Sequence, residues 1–201
     1  AIEQGYDILF WGNVPAGAGL SSSAAMEVVT AYALNELLGT GFDRTELAKI
    51  GQKAEHEYAG VMCGIMDQFA ISMGKKNHAI FLDTANLEYN YVPITLENEQ
   101  IVIMNTCKKR GLGESKYNER RAECEEALKE LQSVINIENL GQLTEELFEE
   151  HKNAINSSVR TKRAKHAVYE NQRTIKAVTA LINNDIAQFG KLMNDSHESL
   201  K

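Results

Sequence analysis

The sequence predicts an α+β chain in which an α+β first half is followed by a helical second half, and three observations carry that prediction. A strand, a glycine loop and a helix succeed one another between Tyr6 and Gly39. The apolar period then switches to short alternating runs between His78 and Thr106, and after Lys108–Gly113 it becomes helical for the rest of the 201 residues. No internal repeat or low-complexity linker interrupts this order. The change of pattern near residue 95 marks the expected boundary between two domains, 1–95 and 96–201.

Tyr6–Val14 alternates and is rich in aromatic and β-branched residues, so a strand is predicted up to Pro15. From Ser21 the apolar residues Ala25, Met26, Val28, Val29, Ala33, Leu34, Leu37 and Leu38 recur at helical spacing until Gly39, a natural C-terminal cap. Asp43 and Glu46 form a D-x-x-E capping pattern, and Leu47, Ile50, Ala54 and Tyr58 continue one helical face behind it. Gly60 and Gly64 bracket a loop, and Asp67 stands where a helix over Gln68–Met73 can start. HAIFLDT, LEYNYVPI and QIVIMNT read as three short strands with turns at Asn86 and Glu97–Glu99. Beyond them, Ala122, Leu128 and Leu131 mark one helix, Leu140–Ala154 a less regular one, and Ala164 to Ile182 another. Asp185 caps a last helix carrying Ile186, Phe189, Leu192 and Met193.

Composition excludes several classes of function. With 43% hydrophobic and 24% charged residues the chain can bury a real core. No stretch reaches the ~20 uninterrupted apolar residues of a bilayer span, so no membrane role is expected. A net charge of −7 disfavours a nucleic-acid partner, because that affinity rests on Lys and Arg neutralising phosphates. The basic run RTKRAKH, Arg160–His166, reads as a solvated helix face. Cys63, Cys107 and Cys124 are odd in number and lack CxxC pairing, which points to reduced, small buried thiols and a cytoplasmic location. AIEQGYDILFWG has neither an initiator Met nor a basic region ahead of an apolar run and is read as a cut, as is SHESLK at the other end.

The chemistry concentrates in PAGAGLSSSAA. A helix N-terminus exposes unpaired N–H groups and a partial positive charge, which stabilise an anion placed there. Gly17 and Gly19 let the backbone approach ligand oxygens, and Ser21, Ser22 and Ser23 add hydroxyls. The stretch is neither a Walker A nor a Rossmann sequence, so a turn with a serine N-cap and a phosphate cradle both stay open. Glu55 is a hard oxygen donor for a metal or a solvated helix residue. Asp67 interrupts the apolar run CGIMDQFAI, as a helix N-cap or as a functional carboxylate.

PAGAGLSSSAA, AEHEYAG, CGIMDQF, SKYNERR and KRAKHAVYENQRT, in this order and at this spacing, resemble the galactokinase family of the GHMP small-molecule kinases across nearly the whole chain. The resemblance implies a GHMP kinase fold, with a ribosomal protein S5 domain 2-like N-terminal part and a helix-rich C-terminal part. It implies ATP-dependent phosphorylation of the C1 hydroxyl of α-D-galactose, with ATP and Mg²⁺ as cofactors. Carried over, Pro15, Ala16, Gly17, Ala18, Gly19, Leu20, Ser21, Ser22, Ser23 and Ala24 would wrap the ATP phosphates. Ser23 and Glu55 would hold Mg²⁺, Asp67 would be the catalytic carboxylate, and Gly64, Asp67 and Tyr117 would meet galactose. A helix-start tyrosine packed on the core is the other reading of Tyr117. Arg120 and Arg121 are left as ion-pair residues.

The family's N-terminal Arg and Glu-His-Thr-Asp signature and its C-terminal glycine-rich motif do not occur in these residues. The expectation is therefore a fold incomplete at both ends, with little or no kinase activity by itself. Three rivals stand beside galactokinase: a non-catalytic galactose and ATP sensor, an N-acetylgalactosamine kinase, and a domain whose loop binds nothing. The sequence does not indicate an oligomeric state.

Overall fold

The structure is a computed structural model and describes residues 5–105, 107 and 117–201. Helices α1 (Ser22–Leu38), α2 (Arg44–Ala54) and α3 (Met66–Met73) pack on one another, and strands β1 (His78–Leu82) and β2 (Tyr89–Pro93) follow as an antiparallel hairpin. The second half is helical: α4 (Tyr117–Gln132), α5 (Glu145–His151), α6 (Ser158–Ile182) and α7 (Ile186–Leu200). The stretch Lys108–Gly113, after which a helical pattern is expected, and the Ser115 and Lys116 of SKYNERR lie outside the described residues.

Capping chemistry acts where the sequence placed it. The Asp43 carboxylate accepts the Glu46 N–H and the Glu46 carboxylate accepts the Asp43 N–H, a complete capping box at the start of α2. Gly39, at φ 60°, closes α1, and Asp185 accepts the Gln188 N–H at the start of α7. Buried Asn35 fixes the link between α1 and α2. Its Oδ1 accepts from Thr40 Oγ1 and the Phe42 N–H, and its Nδ2 donates to the Phe42 carbonyl.

Several expectations are corrected. Tyr6–Val14 and Ile101–Asn105 carry no ladder, because strand identity requires a hydrogen-bonded neighbour and none of the described residues provides one. Leu9 and Trp11 are accordingly 94% and 93% exposed. In α1 only Ala24, Val28 and Asn35 are buried, and Met26, Val29, Leu37 and Leu38 face outward. That helix is apolar around much of its circumference, so spacing alone could not identify its packed side. The face expected through Tyr58 is broken by a π-helical turn, Glu55–Ala59. The turn shifts the phase of the helix, leaving Tyr58 exposed and Glu55 inward; Ile50, ahead of it on α2, is exposed as well. Cys63 and Cys124 are half-buried and Cys107 is exposed, so none is a core residue.

The hairpin docks on α3 through aromatic edges. Phe69 meets Tyr89 at 5.3 Å between ring centroids, and the Tyr91 hydroxyl donates to the Met73 carbonyl at 2.7 Å. The helical half has its own core of Ala127, Leu131, Ile137, Leu143, Phe148, Ile155, Ala164 and Val168. Its outer rungs are ion pairs, with Arg160 bridging Glu126 and Glu130 and Arg163 meeting Glu123. The basic run is thus a seam between α4 and α6 rather than a solvated face: its spacing matches an acidic row on the neighbouring helix.

Candidate active site

The loop Pro15–Leu20 arrives at α1 through two left-handed glycines, Gly17 at φ 72° and Gly19 at φ 75°. A Cβ added to either would meet nothing within 4 Å, so both glycines are required by conformation and not by space. Ser21 is the N-cap and is itself left-handed, at φ 56° and ψ 40°. A residue with a Cβ enters that region at a cost of about 1–2 kcal/mol. Its hydroxyl does not cap its own helix. It donates instead to Asp67 Oδ1 at 2.6 Å, across 46 residues of sequence.

Asp67 is the second residue of α3 and not its cap, which is Ile65. A carboxylate in a first turn benefits from the helix dipole and the free N–H groups there. The loop serines and Asp67 therefore share one end of the α1–α3 packing. Ser22 and Ser23 are half-buried in the first turn of α1, and Ala24 beneath them is fully buried.

Glu55 is turned inward by the π-helical turn and is only 7% exposed. Its carboxyl acts electrostatically on that of Glu27 on α1, which accepts from Gln68 Nε2 at 3.0 Å. Burial pushes the Glu27 carboxyl above its ordinary range. The Gln68 bond opposes the shift, and the Glu55 and Asp67 charges add to it. Gly51 lets α2 pass this close, since a Cβ there would lie 3.1 Å from Gln68 Cγ and 3.4 Å from Glu27 Cβ. Gln68 is 1% exposed, and its Oε1 has no hydrogen-bond partner.

Gly64 and Tyr117 meet directly: the Gly64 N–H donates to the Tyr117 hydroxyl at 3.3 Å. Both line a cavity of about 790 Å³ with Lys49, Gln52, His56 and Arg121, whereas Asp67 and the serines are not among its lining residues. An apolar cavity of about 470 Å³ opens beside the start of α1, walled by Phe10, Trp11, Val14, Met26 and Val29. No hydrogen bond joins Ser23 to Glu55, and the described residues contain no cluster of three His, Cys, Asp or Glu that could hold a metal by itself.

Sequence reading missed Glu27, Gln68 and Asn118. Glu27 and Gln68 did signal themselves as polar residues inside apolar runs. Asn118 sits within the quoted YNERR, but its partner loop is more than fifty residues away.

The fold and these contacts define a class. Residues 1–75 match the family described as GHMP kinases N terminal domain, and the chain has the GHMP kinase fold. More particularly, its relatives are galactokinases. Those of Clostridium acetobutylicum and Fusobacterium nucleatum are 58% and 55% identical over 100% of this chain, which covers 51% and 52% of their lengths. A crystal structure of Lactococcus lactis galactokinase complexed with galactose superposes with a TM-score of 0.90 at 47% identity, covering 94% of this chain and 49% of that one. The chain thus spans about half the length of the relatives it matches. Among the described residues no helix is long and apolar enough to cross a membrane.

Proposed function

We propose that this chain supplies the phosphate-binding loop and the sugar-facing carboxylate of a galactokinase, which transfers the terminal phosphoryl group of ATP to the C1 hydroxyl of α-D-galactose. The observation that carries the reading is the Ser21–Asp67 hydrogen bond, which puts the serine loop and the carboxylate at one site. The galactokinase relatives, including the one solved with galactose, support the choice of sugar. A cytoplasmic location goes with this reading and with the three free thiols.

In this reading Pro15–Ala24 receive the nucleotide's anionic tail. The first-turn N–H groups of α1 and the hydroxyls of Ser22 and Ser23 are hydrogen-bond donors already in place. The apolar cavity beside Phe10 and Trp11 suits the purine ring. Mg²⁺ fits the donor set: Ser23 and Glu55 offer hard oxygens, and this ion is commonly held by one or two carboxylates together with substrate phosphates and water. Bound there, it would neutralise charge on the transferring phosphates. Ser21 holds Asp67 by Oδ1 and leaves Oδ2 for the C1 hydroxyl of the sugar. Asp67 orients that hydroxyl and accepts its proton as the phosphoryl group moves. Gly64 and Tyr117 meet the sugar beside it. Residues 1–95 thereby handle the nucleotide, and 96–201 contribute Tyr117 from their first helix.

The test has two arms. Calorimetric titration of the chain with MgATP should show binding, and Ser22→Ala combined with Ser23→Ala should weaken it at least tenfold. ADP release with a panel of hexoses should be selective for galactose in the Clostridium acetobutylicum relative, while the chain by itself shows little or none. An Asn exchange at the residue of that relative aligned with Asp67 should lower turnover at least a hundredfold at unchanged nucleotide affinity. Turnover surviving the exchange would remove Asp67 from the reaction, and binding without turnover in both proteins would favour a sensor.

A further inference from the structure

The segment Gly60–Gly64 connects the π-helical turn carrying Glu55 to the helix carrying Asp67, so its path sets where both carboxylates stand. The segment is not a regular element. Its backbone is held from two sides by side chains.

From α2 and the π-helical turn, Gln52 Nε2 donates to the Cys63 carbonyl at 3.1 Å, and His56 Nε2 lies 2.8 Å from the same oxygen. From α4, more than fifty residues later, four hydrogen bonds arrive from one helical turn. Asn118 Nδ2 donates to the Gly60 carbonyl at 3.3 Å, and Asn118 Oδ1 accepts the Met62 N–H at 3.2 Å. Arg121 Nη1 donates to the Met62 carbonyl at 2.6 Å, and the Tyr117 hydroxyl accepts the Gly64 N–H. The guanidinium is fixed in turn by Arg121 Nε donating to Glu125 Oε1 at 2.9 Å.

The amide of Asn118 acts here as a backbone surrogate. It pairs one carbonyl and the N–H two residues on, the pattern that a neighbouring strand presents, and only a side chain carrying both a donor and an acceptor can do this. Arg121 then takes the remaining carbonyl of the same residue, Met62. Alternate residues 60, 62 and 64 are all gripped from one side, which fixes the register of the segment as well as its position.

We propose that Asn118 and Arg121 are positioning residues that hold the Gly60–Gly64 segment in register, and through Gly64 and the start of α3 determine how the sugar is presented to Asp67. This rests on the galactokinase reading for its substrate, but the grip itself does not. Neither side chain touches the reacting atoms; both act through the segment's backbone.

The experiment measures amide hydrogen exchange in the chain, comparing the wild type with Asn118→Ala, Arg121→Ala and Arg121→Lys. The Met62 and Gly64 amides should exchange at least tenfold faster in Asn118→Ala and Arg121→Ala, with α6 amides unchanged. Arg121→Lys, which keeps a cationic donor near the Met62 carbonyl, should recover most of that protection. Unchanged exchange at Met62 and Gly64, or acceleration spread equally into α6, overturns the proposal whatever the protein's activity. In turnover assays of the Clostridium acetobutylicum relative carrying the same exchanges at the aligned residues, the KM for galactose should rise about tenfold in the first two variants while the KM for ATP stays constant, with Lys again restoring it. A parallel rise in both constants overturns the positioning role. A wild-type chain that fails to bind MgATP counts against the galactokinase reading, and the exchange data and the lysine rescue then decide the proposal alone.

Discussion

Ser21 donates its hydroxyl to Asp67 Oδ1 at 2.6 Å while holding a left-handed backbone at φ 56°. A strained serine and a carboxylate 46 residues apart in sequence are thus locked to each other at the mouth of α1. Removing the hydroxyl separates the two effects. Ser21→Ala loses the bond and retains the strain, whereas Ser21→Gly loses the bond and relieves it. Ser21→Gly should therefore be more stable than Ser21→Ala by about 1 kcal/mol in denaturant unfolding. Equal midpoints would contradict a left-handed residue 21.

The Glu27 carboxyl is pushed up, chiefly by burial, against an ordinary value of 4.5. A raised folded-state pKa means that the fold favours the protonated form. That contribution is complete below the unfolded value and disappears as pH rises through the folded one. At neutral pH the wild type must hold a half-buried charge beside Glu55, while Glu27→Gln does not. The variant should melt higher than wild type at pH 7, and the gain should vanish below about pH 4.5. Scanning calorimetry at pH 7 and pH 4 checks this; a gain identical at both would remove titration from the account.

Glu149 is the opposite case. Hydrogen bonds from Lys152, Lys165 and the Tyr169 hydroxyl lower its carboxyl to about 2. Its contribution is present above the ordinary value of 4.5 and is lost as pH falls toward about 2. Glu149→Gln should be less stable than wild type at pH 6 and should converge on it across that window. Urea midpoints measured against pH give the comparison; parallel curves would show that these three donors do not act through the charge.

Phe148 is fully buried in the helical core and stands edge-on to Tyr169 at 6.5 Å. Phe148→Ala should cost about 3–5 kcal/mol, the range for a large aromatic truncated where neighbours cannot collapse. Chemical denaturation measures it directly. A loss under about 1 kcal/mol would mean that α5 and α6 repack freely around the site.

Much of this molecule is legible in its residue order. The strand-forming His78–Leu82 and Tyr89–Pro93, the capping box at Asp43, the cap at Asp185 and the irregular stretch around α5 all depend on interactions within a few residues, and such interactions leave their mark in sequence. The loop glycines are legible for the same reason, since a left-handed turn demands them locally.

Tertiary structure alone decided the rest. It left Tyr6–Val14 and Ile101–Asn105 without ladders, because a strand is a property of two segments and not of one. The packed side of α1 and the inward turn of Glu55 likewise followed from neighbours, through the close approach at Gly51 and the phase shift of the π-helical turn. The sequence by itself singled out the candidates for the chemistry: the serines, Glu55, Gly64, Asp67 and Tyr117. Only the fold decided that Ser21 grips Asp67, that Tyr117 meets Gly64, and that Glu27 stands against Glu55. The physical reason is range: a hydrogen bond joining residues forty or fifty positions apart leaves no periodicity in the chain, and it exists only once helices α1 to α4 have packed.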